Sequence, residues 1–265
     1  MKVRMTQGTA YYGVGSGHPS EHADSVFFIH GAGFDHSVWV LPARYFARHG
    51  LNVIAPDLPA HGRSDGPALT TIESMADWVA ELIDLTAHAE SNTTLVGHSM
   101  GSLVALAVAD RHPDKVQALA LLGTSTPMPV GPPLLNAAKD NHHAAYEMAN
   151  TWSHSTVGRI GASQNPGLSN FVSGERWLER MAPDVYHADL AACNAYRREE
   201  VALAQRTMVI VGSADKMTVP KAGHTVADTI AADATVVLRG SGHAMLSEQP
   251  NEVLDALRDF ILSGA

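Results

Sequence analysis

Three residues have the types and the chain order of a hydrolytic centre. Ser99 stands in Gly97-His98-Ser99-Met100-Gly101, Asp215 in Gly212-Ser213-Ala214-Asp215, and His243 in Gly240-Ser241-Gly242-His243. A serine hydroxyl attacks a carbonyl only when a base takes its proton, and the base needs an acid to hold its tautomer. Ser99 would be the nucleophile, His243 the base and Asp215 the orienting acid. The order serine, acid, histidine along the chain is one that supports acyl transfer. The backbone N–H of Met100, at the start of a helix, would face the negative charge that develops on the carbonyl oxygen.

The elements around Ser99 support that role. Thr93 to Asp110 reads TTLVGHSMGSLVALAVAD, an apolar β-branched run, a tight turn and a run of small helix formers. A serine on a strained strand-to-helix turn projects its hydroxyl off the sheet. Gly97 and Gly101 are required because a side chain at either place would collide where the backbone doubles back. Gly62-Arg63-Ser64-Asp65-Gly66 has the same G-x-S-x-G spacing. No strand enters it and Pro67 follows, so Ser64 reads as a loop serine.

The other two residues sit where strands end. Thr207–Val211 and Ala234–Leu238 are apolar runs, with Asp215 just past the first and His243 just past the second. In doubly wound sheets, functional groups collect at the carboxyl ends of strands. The main competing position is the end of the preceding strand, Val116–Leu122, which runs into Gly123-Thr124-Ser125 and offers no carboxylate, so Asp215 is the acid of choice. His98 neighbours the nucleophile but should point away from it. His30 and His61 read as structural, bonding loop backbone near the site. Adjacent His142 and His143 cannot share a helix face, so a metal site with His154 and His187 is not expected.

Most of the remaining chain alternates strand and helix. Ser25–His30 (SVFFIH) is continuous and apolar, as a strand buried on both faces must be. Ser37–Gly50 reads as helix, Leu51–Ala55 as strand, Thr71–His88 as an amphipathic helix and Val116–Leu122 as strand. Helices near Pro220–Ala231 and over Asn251–Leu262 complete the pattern. The fold class is α/β, a doubly wound, mostly parallel sheet. An edge strand around Thr9–Tyr12 and a polar loop precede it. Strand runs stop between residues 124 and 205, where prolines and helical stretches carry Tyr146, Met148, Trp152, Trp177, Met181 and Tyr186. That segment is expected to be an inserted helical cap, with residues 1–123 and 206–265 as the core. Its Met and aromatic residues are expected mainly as cap core.

Composition excludes several classes. The 265 residues are 45% hydrophobic and 17% charged, as in a globular protein. The net charge of −9, without a dense basic run, argues against nucleic acid or an anionic membrane as partner. The single cysteine, Cys193, allows no internal disulfide and reads as a buried, inert thiol. The first residues, MKVRMTQGTAYYG, lack the apolar core of a signal peptide, and no stretch has the length of a membrane span. A cytoplasmic protein is expected.

With these motifs in place the sequence resembles the α/β-hydrolase fold family over about Ser25–Leu122 and Thr207–Phe260. His30-Gly31-Ala32-Gly33 is similar to the family's oxyanion motif after the third strand. The resemblance implies that the N–H of Ala32 is the second oxyanion donor, beside Met100. Asp57 to Ser64 resembles the family turn D-x-P-G-H-G-x-S, with Ala60 in place of its first glycine. Met245 to Pro250 looks like the family's usual ending.

The expected reaction is cleavage of a small carboxylic ester through an acyl-enzyme, with water as second substrate and no cofactor or metal. A thioester, amide, lactone or ketone-adjacent carbon–carbon bond would use the same triad. A haloperoxidase or perhydrolase, or a non-catalytic ligand receptor, would also be compatible with this fold. An aspartate-nucleophile dehalogenase or epoxide hydrolase is disfavoured because Ser99 holds the turn. The family's proline-directed aminopeptidases carry HGGPG, where this chain has HGAGF.

Overall fold

The computed structural model describes residues 1–17, 20, 23–88, 90–161, 169–199 and 201–263. Two strands, β1 (Lys2–Met5) and β2 (Gly8–Gly13), form an antiparallel hairpin at one edge. The sequence pattern predicts one edge strand there. The four-residue KVRM run is too short to show a period, although Gly8, at φ +113°, gives the left-handed residue the tight turn needs. Parts of the expected following loop, residues 18–19 and 21–22, lie outside the described residues.

The rest of the sheet is parallel. It comprises β3 (Ser25–Ile29), β4 (Asn52–Pro56), β5 (Thr93–His98), β6 (Ala118–Leu122), β7 (Arg206–Gly212) and β8 (Ala234–Leu238). The order across the sheet is β1-β2-β4-β3-β5-β6-β7-β8, with β2 antiparallel to β4. Helices α1 (Val40–Arg48), α2 (Ile72–Thr86) and α3 (Met100–Arg111) connect the first parallel strands. Between β6 and β7 lie α4 (Pro132–Lys139), α5 (Ala144–Ser153), α6 (Thr156–Arg159), α7 (Asn170–Leu178) and α8 (Val185–Ala195). The chain continues with α9 (Pro220–Thr229), α10 (Met245–Glu248) and α11 (Pro250–Leu262). This is a doubly wound, mostly parallel α/β fold.

Strand periodicity divides the core. Phe27 and Ile29 pack on one face with Met75, Leu82 and Leu103 from α2 and α3. Val26 and Phe28 pack on the other with Phe46 of α1 and Leu257 of α11. Burial on both faces is why β3 reads as an unbroken apolar run. Helix α2 begins where Thr71 accepts the Ser74 N–H, and α4, α9 and α11 each begin with proline, whose fixed φ suits the first turn. The helices between β6 and β7 bury their own cluster, including Leu134, Ala149, Tyr186 and Leu190. Residues 162–168 and 200, within the expected cap, lie outside the described residues. Among the described residues no helix is long and apolar enough to cross a membrane.

Candidate active site

Ser99 sits between β5 and α3 at φ +53° and ψ −121°, a conformation that disfavours any residue with a Cβ. Its surroundings enforce it. The Ser99 N–H donates to Leu122 O at 2.9 Å, and the Ser102 N–H and hydroxyl donate to Ser99 O at 2.8 and 2.6 Å. A Cβ on Gly97 would lie 2.1 Å from Gly101 O, and one on Gly101 would lie 2.2 Å from Ile29 O. Both glycines are therefore steric requirements of the turn.

Asp215 follows β7 and is buried. Its Oδ1 accepts the Met217 and Thr218 N–H groups at 2.8 and 2.9 Å. Its Oδ2 accepts the Thr218 hydroxyl at 2.8 Å and lies 2.8 Å from His243 Nδ1. Burial pushes the Asp215 pKa upward, but the charge and hydrogen bond of His243, with the Thr218 donors, outweigh it. The carboxyl is held below its ordinary range. Because a carboxylate can only accept, His243 Nδ1 carries the proton, and Nε2 is the nitrogen left for proton transfer.

The loop that carries His243 is fixed from several sides. The Ala244 N–H donates to Ser153 O at 2.8 Å, and the Gly242 N–H donates to Glu248 Oε2 at 2.6 Å. His98 Nε2–H donates to His243 O at 2.9 Å, and the two rings lie 4.8 Å apart. His98 therefore supports the His243 backbone. At the end of β6, a Cβ on Gly123 would press to 3.1 Å from the His243 ring.

The segment after β3 is also pinned. His30 Nδ1–H donates to Gly31 O at 2.9 Å, and His30 Nε2 accepts the Leu58 N–H at 3.1 Å. The Gly33 N–H donates to Asp189 Oδ2 at 2.8 Å. A Cβ on Gly31 would lie 3.2 Å from Ser99 Cβ, so this loop runs against the Ser99 turn. Among the described residues the N–H groups of Ala32 and Met100 have no hydrogen-bond partner.

Ser99, His243 and Ala32 line one cavity of about 190 Å³, walled by Met128, Val130, Leu134, Trp152 and Leu190. A smaller chamber of about 70 Å³ lies on the His98 side of His243, between Phe34, His154, Trp177 and Leu246. The aromatic residues of the helical segment thus divide. Tyr186 is buried among the helices, whereas Trp152 and Trp177 wall the two chambers. Ser64 lies elsewhere, donating to Asp57 O at 2.6 Å and accepting the Tyr11 N–H at 2.8 Å. The Cys193 thiol is buried, and burial pushes its pKa well up.

Among the described residues two groups of side chains have spacings that a cation could use, Asp35/His36/Asp57 and His143/Glu147/Glu175. The first is occupied by its own hydrogen bonds, Asp57 taking the His36 N–H and ring and the Arg63 N–H. The second is a partly exposed ion-pair group. Neither borders the Ser99 cavity.

Sequence reasoning does not find Thr218, Glu248 or Asp189. Of the three, only Glu248 stands in a stretch with a recognisable motif, the ending after His243.

Residues 26–256 match the alpha/beta hydrolase family, and the chain belongs to it. The chain is 28% identical over 261 residues to a pimeloyl-acyl carrier protein methyl ester esterase of Neisseria meningitidis, covering 89% of this chain and 93% of that protein. It is 25% identical over 257 residues to mouse protein ABHD8, covering 89% of this chain but only 55% of that relative. The chain thus spans about half the length of that relative. A solved thermophilic esterase superposes with a TM-score of 0.79 at 25% identity, covering 99% of this chain and 97% of that one.

Proposed function

We propose that this chain is a serine hydrolase that cleaves small carboxylic esters through an acyl-enzyme. The observation that carries the reading is the buried 2.8 Å contact between His243 Nδ1 and Asp215 Oδ2, with His243 and Ser99 lining one cavity. His243 Nε2 takes the Ser99 proton as the hydroxyl oxygen attacks the ester carbonyl. The unpartnered N–H groups of Met100 and Ala32 receive the oxyanion. His243 then protonates the leaving alcohol, and a water activated by the same imidazole releases the acid. Asp215 stabilises the imidazolium at each step.

Helices α4 to α8 act as a cap over the core, with the division at residues 124–205. Cap residues Leu134, Trp152 and Leu190 wall the Ser99 cavity, which favours an apolar acyl or alcohol group. The likeness to an esterase along nearly all of both chains supports the ester reading over the other bonds this triad could cleave.

The test is a series of p-nitrophenyl esters, acetate to laurate, with wild type and Ser99→Ala side by side. Turnover of short esters that vanishes in Ser99→Ala, with fluorophosphonate labelling of Ser99, is the expected result. Labelling without turnover of any ester would move the assignment to another acyl bond. No labelling and no turnover would sink the hydrolase reading.

A further inference from the structure

Among the described residues Asp189 is the one carboxylate with a buried oxygen that lacks a hydrogen-bond partner. It sits on cap helix α8, is fully buried, and lies outside the proposed catalytic triad. One oxygen, Oδ2, takes two hydrogen bonds, from the Gly33 N–H at 2.8 Å and from His61 Nε2 at 2.9 Å. The other, Oδ1, is buried with no partner. A carboxylate placed only to tie helices together would satisfy both oxygens, since an unpaired buried acceptor is destabilising. This one concentrates its charge on the loop after β3.

His61 is charged. Its Nδ1 lies 3.0 Å from Pro59 O and its Nε2 lies 2.9 Å from Asp189 Oδ2. With Asp189 as the carboxylate both neighbours are acceptors, and two donating nitrogens belong to the imidazolium. Burial opposes that charge, but Asp189 outweighs it and the His61 pKa is raised. The His30 ring packs 4.8 Å from His61 and is neutral, since its Nε2 accepts the Leu58 N–H. The loop is therefore gripped at both ends. His30 Nδ1–H holds Gly31 O, and Asp189 holds the Gly33 N–H. Ala32 stands between the two grips.

We propose that Asp189, paired with His61, is a positioning residue through which the cap fixes the Gly31–Gly33 loop and aims the Ala32 N–H at the oxyanion. The inference rests on the serine hydrolase reading above. Cap and oxyanion loop are thereby one unit, and a cap shift that moved α8 would disarm the hole. Asp189 does not border the Ser99 cavity, so its influence falls on the rate of the chemical step more than on substrate binding.

The experiment compares Asp189→Ala and Asp189→Asn with wild type on p-nitrophenyl acetate. It reads kcat, KM, the rate of Ser99 phosphonylation by a fluorophosphonate, and circular dichroism. Phosphonylation places a developing negative oxygen in the same hole, so it reports on the hole independently of ester hydrolysis. In Asp189→Ala, kcat and phosphonylation should fall together by about tenfold to a hundredfold, with KM within about threefold of wild type. Asp189→Asn keeps an oxygen for the Gly33 N–H and should recover kcat to within about fivefold of wild type. A folded Asp189→Ala with unchanged kcat, or a loss confined to KM, would overturn the proposal. So would a folded but inactive Asp189→Asn, which decides the matter if Asp189→Ala does not fold. Wild type that resists labelling at Ser99 would instead overturn the serine hydrolase reading itself.

Discussion

Glu248 and Gly242 are joined by a 2.6 Å hydrogen bond, Gly242 N–H to Glu248 Oε2, one residue before His243. The other oxygen, Oε1, accepts the Ser155 N–H at 2.7 Å. One buried carboxylate thus bridges the His243 loop and the helical segment. A Cβ on Gly158 would lie 2.2 Å from Oε1, so the helical side is shaped around it. Glu248→Ala leaves two buried N–H groups unpaired, each worth about 1–3 kcal/mol. We expect a loss of about 3 kcal/mol in urea denaturation and a fall in kcat. Glu248→Gln keeps one acceptor oxygen and should lose less. Equal stability of Glu248→Ala and wild type would refute the bridge.

Ser99 is held at φ +53° where glycine is at ease. A residue with a Cβ in the left-handed half of conformational space is destabilised by about 1–2 kcal/mol, partly offset by the greater freedom of glycine in the unfolded chain. Ser99→Gly should therefore raise the melting temperature by a few degrees for about 1 kcal/mol of gain while abolishing ester turnover. Ser99→Ala keeps the Cβ and should not show that gain. A melting temperature of Ser99→Gly at or below that of Ser99→Ala would argue against stored strain at the turn.

Ala60 presents the same physics at a position without a role in the chemistry. It lies at φ +66°, where the resembled turn has glycine. Ala60→Gly should leave kcat unchanged and stabilise the fold by up to about 1 kcal/mol. Thermal unfolding of the pair checks it, and a destabilised Ala60→Gly would show that the methyl group packs better than its strain suggests.

Thr218 donates its hydroxyl to Asp215 Oδ2 at 2.8 Å while lying 3.2 Å from His243 Nδ1. Thr218→Val keeps the shape and removes that donor, leaving Asp215 with a smaller set of hydrogen bonds. Its carboxyl pKa should rise, and kcat should fall by about tenfold as the His243 orientation loosens. The kcat ratio on p-nitrophenyl acetate measures it, and a ratio near one would limit Thr218 to packing.

The sequence discloses what is local or periodic. The turn at Ser99 is written in five consecutive residues, and both glycines carry a steric reason that the contacts of Gly97 and Gly101 bear out. Asp215 and His243 can be placed because strand ends are marked by apolar runs, and the structure sets them 2.8 Å apart. What cannot be read lies in pairings across the chain. Asp189 meets Gly33 at a separation of 156 residues, Glu248 meets Ser155 at 93, and His98 meets His243 at 145. The first two depend on how the helices between β6 and β7 dock on the sheet, and the third on how the loop after β8 returns to the end of β5, and no local periodicity encodes either. Trp152 and Trp177 show the same limit. Their helices are legible, but which faces turn to a chamber is not.

Two buried neutral histidines set the acid limit of the fold. Burial, and then the His61 charge, lowers His30 from 6.5 to about 4. Burial, and then the His243 charge, lowers His98 from 6.5 to about 3. His30 Nε2 accepts the Leu58 N–H, which needs the neutral ring, whereas the His98 bond to His243 O favours the charged form and is outweighed by burial; the carboxylates Asp57 and Asp189 near His30 and Asp215 near His98 oppose the shift without cancelling it. Below about pH 6.5 the unfolded chain binds protons at these rings that the folded chain refuses, so stability must fall as pH falls. Each ring contributes about 1.4 kcal/mol per pH unit once well below about 6.5. By about pH 4.5 the pair removes about 5 kcal/mol, a large part of a typical domain's stability. His61 does not offset this. Its raised pKa gives stability that is complete below 6.5 and is lost only as pH rises through the folded value. Asp215, whose pKa is lowered, gives stability that is present above 3.8 and is lost only on further acidification. Urea midpoints should therefore decline steadily from about pH 6.5 toward about pH 4.5, and His98→Asn should show a shallower decline. A wild-type midpoint that stays flat down to about pH 5 would mean that one ring accepts its proton in the folded state.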